Sequence, residues 1–462
     1  VKRVLLLGYI HRRPMEWLRS LDPTMQDVLA AFGRAILLIL PIFGPVPVII
    51  WWERRLLSWM QDRIGPNRTG NITFSRNSSM VPSFLKGKKI KLFGLLQSIA
   101  DGIKLFLKED IMPSKTDKLL FIVAPFIALF VSFTLGATVP FSGDLRFTPV
   151  ADVNIGLLYV LAISSLGAYG LVLAGYSSNN KYSLIGGLRA SAQLISYELA
   201  MGVSLASIVM MSGSLKLTDI VNQQQNTPLY NLDFAPFTLI ANWNILSPMG
   251  FVSGIVFFIC MLAETNRPPF DLPEAENELV AGYHTEYSTK RWALFMMAEY
   301  MAMFVFSMIW FTIFMGGYHL LPVRSEFLDG IEQKVGFLLG PLSMMLKGAF
   351  GLSVYIWVRA TFPRLRYDQL MNLGWKFLLP LSVGNLMITA SWIFANRVYG
   401  NAVGWGVVCI GYAILGIVWL KTRRKKQDEK QFGSRSIDMV VSSVRISSSP
   451  EISAVADATE GL

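Results

Sequence analysis

Residues 119–140 read LLFIVAPFIALFVSFTLGATVP, a run without a charged side chain. A helix that spans a bilayer needs about 20 mostly apolar residues, so this stretch predicts one. Working outward, comparable runs occur at 29–52, 154–176, 191–212, 246–264, 292–315, 335–359, 376–396 and 402–420. The expected fold is an all-α polytopic membrane protein of about nine transmembrane helices. The first run contains Pro41, Gly44, Pro45 and Pro47 and should be kinked. The last two runs are parted only by a short turn around Asn396 to Asn401, and also read as one broken helix.

Composition agrees with a lipid environment. Of 462 residues, 53% are hydrophobic and 16% charged; a soluble domain carries about 25% charged residues. The net charge is +11. Lys and Arg fall between the apolar runs, where they act as topology determinants. No basic stripe with interleaved aromatics stands outside those runs, so no nucleic-acid partner is expected. Cys260 and Cys409 lie far apart in apolar runs. An iron–sulfur cluster needs about four cysteines, and His11, His284 and His319 are too dispersed for a metal site or a haem. No metal and no permanently bound redox group is expected, so any electrons come from a partner.

Six regions follow: an N-terminal extension (1–28), the first transmembrane helix with a long cytoplasmic loop (29–118), helices 2–5 (119–264), an acidic loop (265–291), helices 6–9 (292–420) and a basic, then disordered, tail (421–462). The connection 53–118, the loop 360–375 and the tail are rich in Lys and Arg. With nine alternating helices they share one side, the cytoplasm or an organelle matrix. The basic extension 1–28 disagrees, and reads as a surface helix or as sequence upstream of the true start. Within the first loop, 71–91 resembles a flexible insertion. Residues 92–109, LFGLLQSIADGIKLFLKE, alternate apolar and charged positions at helical spacing and predict an amphipathic helix, lying on the membrane or against a partner.

Charges inside spanning runs are costly, about 2.5–3.5 kcal/mol each at a helix centre. Glu198, Glu264, Glu299 and Lys347 stand in such runs, and Glu53 and Arg54 close the first. One such residue reads as a structural pair. Several acids on different helices point to a hydrated polar path. The loop 264–291, ETNRPPFDLPEAENELVAGYHTEYSTKR, concentrates Glu264, Arg267, Asp271, Glu274, Glu276, Glu278 and Glu286. Composition alone allows a solvated connector. Pro268, Pro269 and Pro273 stiffen it, however, and Phe270, Leu272, Leu279 and Val280 predict that part of it is buried.

The segment LAETNRPPFDLPEAENELVAGYHTEYS (262–288) resembles the signature of the membrane subunit 1/H family of complex I, the proton-pumping NADH:quinone oxidoreductase. ERRLLSWMQDRIGPNR (53–68), LRASAQLISYELAMG (188–202) and WVRATFPRLRYDQLMNLGWKFLLPL (357–381) resemble further family segments, in the family's order. The resemblance implies a subunit forming the membrane floor of a quinone cavity. Arg54, Arg63, Asp101, Glu264, Arg267, Asp271, Glu274, Glu276 and Glu278 would border it. Glu198, Glu286 and Glu299 would begin a proton path, with Arg189 as the partner of Glu198. Quinone would be a substrate. NADH, flavin and iron–sulfur clusters would belong to peripheral-arm subunits, and antiporter-like and small membrane-arm subunits would be further partners. The insertion 71–91 and Ser98, where the family often has proline, depart from the pattern. Length, the ninth helix and the tail imply a bacterial plasma membrane, with a mitochondrial inner membrane as the alternative. Other readings are the related subunit of a membrane-bound hydrogenase, formate hydrogenlyase or plastid quinone oxidoreductase, and a stand-alone ion transporter.

Overall fold

The computed structural model describes residues 25, 42–67, 69, 72–73, 89–90, 93–143, 151–227, 241–272, 276–322 and 326–421. The extension 1–28, apart from Met25, the first part of run 29–52, most of the insertion 71–91 and the tail beyond 421 lie outside them. Within the insertion, Ile72–Thr73 and Lys89–Ile90 pair antiparallel, Ile72 opposite Ile90. A helical turn at 42–43 breaks at Gly44 and Pro45 before α1 (Val46–Met60) begins, where the prolines predict a kink. Next comes α2 (Gln97–Leu107), whose Ile99, Ile103 and Phe106 lie exposed. That spacing is one apolar stripe of a helix, as expected of the amphipathic segment.

The apolar runs become α3 (Lys118–Gly136), α4 (Gly156–Ser177), α5 (Lys181–Ser212), α7 (Pro248–Glu264), α9 (Thr289–Phe314), α10 (Glu326–Thr361), α12 (Leu379–Tyr399) and α13 (Asn401–Lys421). Shorter helices are α6 (Leu217–Asn226), α8 (Glu276–Leu279) and α11 (Tyr367–Leu373), the last joined to α12 through a wide π turn at Gly374–Leu378. Among the described residues, seven helices are long and apolar enough to cross a membrane, and α7 is a shorter apolar helix. The chain is thus a polytopic helical membrane protein.

Helix ends follow local chemistry. Asp117 caps α3 by accepting from the Leu120 amide, and Asn180 caps α5 by accepting from the Tyr182 amide at 3.0 Å. Ser247 caps α7 and Pro248 occupies its first turn. Helix α5 starts ten residues before its apolar run, because its first turns stand among polar loops. The basic connection expected at 360–375 is shorter for the same reason: a helix starts at Tyr367.

In residues 1–386, α9 is the hub. It packs on α3, α7 and α10, and 61% of its spanning stretch is buried, against 11% for α13. Alternating helices leave the loops in two sets. In one, Arg291 pairs with Asp110, and Leu365 donates its amide to Pro269 at 3.1 Å. In the other, Leu157 donates to Leu215 at 3.0 Å and Ala241 to Pro322 at 3.1 Å. The acidic loop belongs to the first set. It meets α5 at Gly186, where a Cβ would stand 2.8 Å from the Gly282 Cα, so only glycine permits this approach. Residues 387–462 form a separate compact unit. In it Gly400 (φ 90°) parts two helices whose Trp392 and Trp405 rings stand 5.8 Å apart. The last two runs are therefore separate helices folded back on one another.

The other loop set carries its own buried cation. The Lys347 ammonium, on α10, donates to the carbonyls of Met315 (2.7 Å), Gly317 (2.7 Å) and His319 (2.5 Å), and lies 4.6 Å from the Trp243 ring centroid. These carbonyls end α9, where a helix favours positive charge. Lys347→Met keeps the length of the side chain and removes the donors. It is expected to destabilise the chain by about 3 kcal/mol, seen as a lower thermal unfolding midpoint of the purified assembly. Gly186→Leu should lower the yield of folded chain by pushing the acidic loop off α5.

Candidate functional site

The acidic loop begins where α7 ends at Glu264. Asn266 takes a left-handed conformation (φ 49°), and the Arg267 amide donates back to Leu262 at 3.3 Å. Gln193 of α5, 1% exposed, holds the loop from beneath. Its amide nitrogen donates to the carbonyls of Ala263 and Phe270, each at 2.9 Å. Tyr197 packs edge-on against Phe270 with centroids 5.4 Å apart and donates its hydroxyl to Leu370 at 2.9 Å. Phe270 and Leu272 are buried. Leu279 is buried as well, so the expectation of a partly buried loop holds for these three residues, while Val280, expected to share in it, is exposed because it stands in the turn just after the short helix at 276–279.

This anchoring places Arg267 among three helices. Its guanidinium is ion-paired with Glu299 of α9, stands 3.7 Å from Glu53 of α1, and covers the Tyr300 ring at 4.7 Å. Burial works against the Arg267 cation, but Glu299 and Glu53 outweigh it and hold the guanidinium firmly charged. Glu53 in turn is ion-paired with Arg359 of α10. Glu53 is 5% exposed and Arg267 8%. Two cations and two anions thus form an incomplete ring of charge, running from Arg359 through Glu53 and Arg267 to Glu299, buried except at Arg359.

Beside this ring lies a cavity of about 80 Å³ between α3, α4, α5, α7 and α9. Glu264 and Glu299 both line it, with Ser132, Ser164, Thr265 and Asn266. Glu198 is close enough to Glu264 for their charges to interact. The residues expected to form a polar path thus divide. Glu264, Arg267 and Glu299 are brought together, with Glu198 adjoining. Asp271, four positions after Arg267, pairs instead with Arg364 at 2.9 Å.

The others stand apart. Arg54 pairs with Asp101 at 2.5 Å and ties α1 to α2, and Gln97 donates to the same carboxylate at 2.9 Å. Arg63 is exposed. Glu286 accepts from the Asn180 amide at 2.9 Å. Glu278 is exposed on α8 and pairs with Arg189 at 2.7 Å. That corrects the partner expected for Arg189, which was Glu198. The two lie nine positions apart on one helix, about 13 Å along its axis, and the acidic loop brings Glu278 within reach instead. Glu274 lies outside the described residues, as does the side chain of Glu276.

Glu53, Arg359, Arg364 and Gln193 carry much of this geometry, and sequence reasoning gives none of them a role. A carboxylate closing an apolar run requires a cation, and WVRATFPR contains two arginines. That is the available signal, although nothing local pairs Glu53 with Arg359. Tyr287, in the loop before α9, stacks on Phe121 at 4.0 Å, and burial pushes its phenol up to about 12. It is a packing residue. Among the described residues, no group of three or more His, Cys, Asp or Glu side chains is arranged to hold a metal ion.

Comparison with known proteins agrees with these features. A family model described as NADH dehydrogenase matches residues 34–390, which include every charged residue of the ring. The NADH-quinone oxidoreductase H subunit of Thermomicrobium roseum is 44% identical over 371 residues, covering 79% of this chain and 96% of that protein. The corresponding protein of Cupriavidus pinatubonensis is 44% identical over 360 residues, 78% of this chain and 91% of its own. One from Cytophaga hutchinsonii is 42% identical over 347 residues, 74% and 90% respectively. The family match runs from α1 into α12 and through the acidic loop, and this chain belongs to the NADH dehydrogenase family, among the membrane-embedded H subunits of complex I.

Proposed function

We propose that this chain forms the membrane side of a quinone-binding cavity and the first section of a proton path in a proton-translocating NADH:quinone oxidoreductase. The observation that carries the reading is the cavity between helices lined by both Glu264 and Glu299, with Glu299 ion-paired to Arg267. A water needs about 10–15 Å³ of such space and two to four polar partners, so a cavity of about 80 Å³ has room for several. Hydrated acids conduct protons. Isolated acids in lipid only cost free energy.

Quinone reduction takes up two electrons and two protons, and a reduced headgroup in a low-dielectric site is costly unless nearby groups respond. Here the responding groups are Asp271, Glu274, Glu276 and Glu278 of the acidic loop. Each added charge or proton alters its neighbours. The loop meets the path at Arg267, so a change in its charge reaches Glu299 and Glu264, and through Glu264 reaches Glu198. In this reading Arg54, Arg63 and Asp101 border the quinone cavity, apart from the cavity at Glu264 and Glu299, and Glu286 is a further acid of the path, with Arg189 joining α5 to the loop.

Electrons arrive from peripheral-arm subunits carrying flavin and iron–sulfur clusters, which oxidise NADH. The path continues into antiporter-like and small membrane-arm subunits. The basic loop set faces the cytoplasm of a bacterial cell, in its plasma membrane. The names of the relatives favour this complex over a hydrogenase.

Glu299→Gln is expected to lower quinone-coupled proton translocation roughly a hundredfold, the lower end of what general acid–base groups contribute, and Glu198→Gln by a smaller factor. Proton uptake and NADH oxidation measured together in vesicles test this; unchanged rate and proton-to-electron ratio in both variants reject the path. Asp271→Asn should raise the KM for quinone several-fold before kcat falls. Normal quinone kinetics in that variant would remove Asp271 from the cavity.

A further inference from the structure

We propose that Glu53 is a positioning residue that competes with Glu299 for Arg267, so that the guanidinium serves as a movable partition between two cavities. The inference rests on the proton-path reading and identifies a control point within it. Arg267 touches Glu299 and has Glu53 as a second anion 3.7 Å away, just beyond hydrogen-bonding distance. The Tyr300 ring faces the guanidinium at 4.7 Å. Arg359 is the competing cation on Glu53.

The voids lie on either side of this contact. One, of about 10 Å³, has room for about one water and is bordered by Glu53, Arg267, Tyr355 and Arg359. The other, of about 80 Å³, is bordered by Glu264 and Glu299. Arg267 belongs to the wall of the first and Glu299 to the wall of the second, so the ion pair joins a wall of each.

With both acids charged the ring is neutral. A proton arriving on Glu299 leaves Arg267 without a charged partner there, and a buried cation is costly without one. Glu53 is the nearest remaining anion. A shift of about 1 Å brings the guanidinium to the 2.7–2.9 Å typical of a charge-assisted hydrogen bond. The same shift withdraws it from Glu299 and joins the voids. No covalent bond to carbon breaks and no electron moves: one proton adds to Glu299, and Arg267 keeps its own. When Glu299 releases that proton, Arg267 returns and the partition closes.

The test uses the assembled complex. In its cryo-EM structure Glu299→Gln, which mimics the protonated acid, should show Arg267 moved from residue 299 to within hydrogen-bonding distance of Glu53. Glu53→Gln should lower quinone-dependent NADH oxidation roughly tenfold while Glu53→Asp, which keeps the anion, stays within about threefold of the unsubstituted complex. A purely structural Glu53 would not move Arg267 in a variant of a different residue. Arg267 remaining on the residue 299 amide in Glu299→Gln overturns the proposal, as does Glu53→Gln turning over at the unsubstituted rate. Should Glu53→Gln not assemble, the Glu299→Gln structure decides alone. An unsubstituted complex that does not reduce quinone would instead overturn the functional reading beneath it.

Discussion

A guanidinium buried in a membrane protein must be neutralised close by, and the residues that neutralise Arg267 come from separate parts of the chain. Glu299 contacts it from α9, Glu53 lies 3.7 Å away on α1, and Arg359 of α10 pairs with the same oxygen of Glu53. Removing one member of such a ring leaves an uncompensated charge in low dielectric, a loss of about 3–5 kcal/mol in typical proteins. The ring therefore fixes the mutual placement of α1, α9, α10 and the acidic loop. It also sets the chemistry: an arrangement with two acids near one guanidinium responds to a single proton, whereas a closed hydrophobic contact would not.

The loop delivers Arg267 to that place because it is anchored at several points. Gln193 supplies one side-chain amide to two of its carbonyls, Tyr197 packs beneath Phe270, and Leu365 reaches Pro269. Buried polar atoms in lipid-embedded protein need such partners, so these bonds give the loop one conformation. Far from this region, Lys347 does the same for the last turn of α9, using three carbonyls. The hub helix is thus held by two cations, one shared with an acid partway along it and one bound by carbonyls just past its end.

Helices and loop were legible in the linear sequence for a simple reason. Apolar run length is a local property, and so is the density of prolines and acids in 264–291. Helix ends were less legible: α5 starts ten residues before its apolar run, and α11 precedes the run that becomes α12, because polar turns at the membrane edge cost nothing there. Arg189 shows the limit of pairing by proximity in sequence. Its partner, Glu278, lies 89 positions away, and only the folded loop brings the two together.

Sequence alone established a many-helix membrane protein with acids in spanning runs, and the segment 262–288 that marks its family. These depend on hydropathy and on order along the chain, which need no knowledge of the fold. Tertiary structure decided which acids share a cavity, which carboxylate each arginine takes, and that Glu53 belongs with Glu299. Electrostatic partners are chosen by distance and desolvation in three dimensions, and residues 53, 267, 299 and 359 become neighbours only after four separate segments have packed.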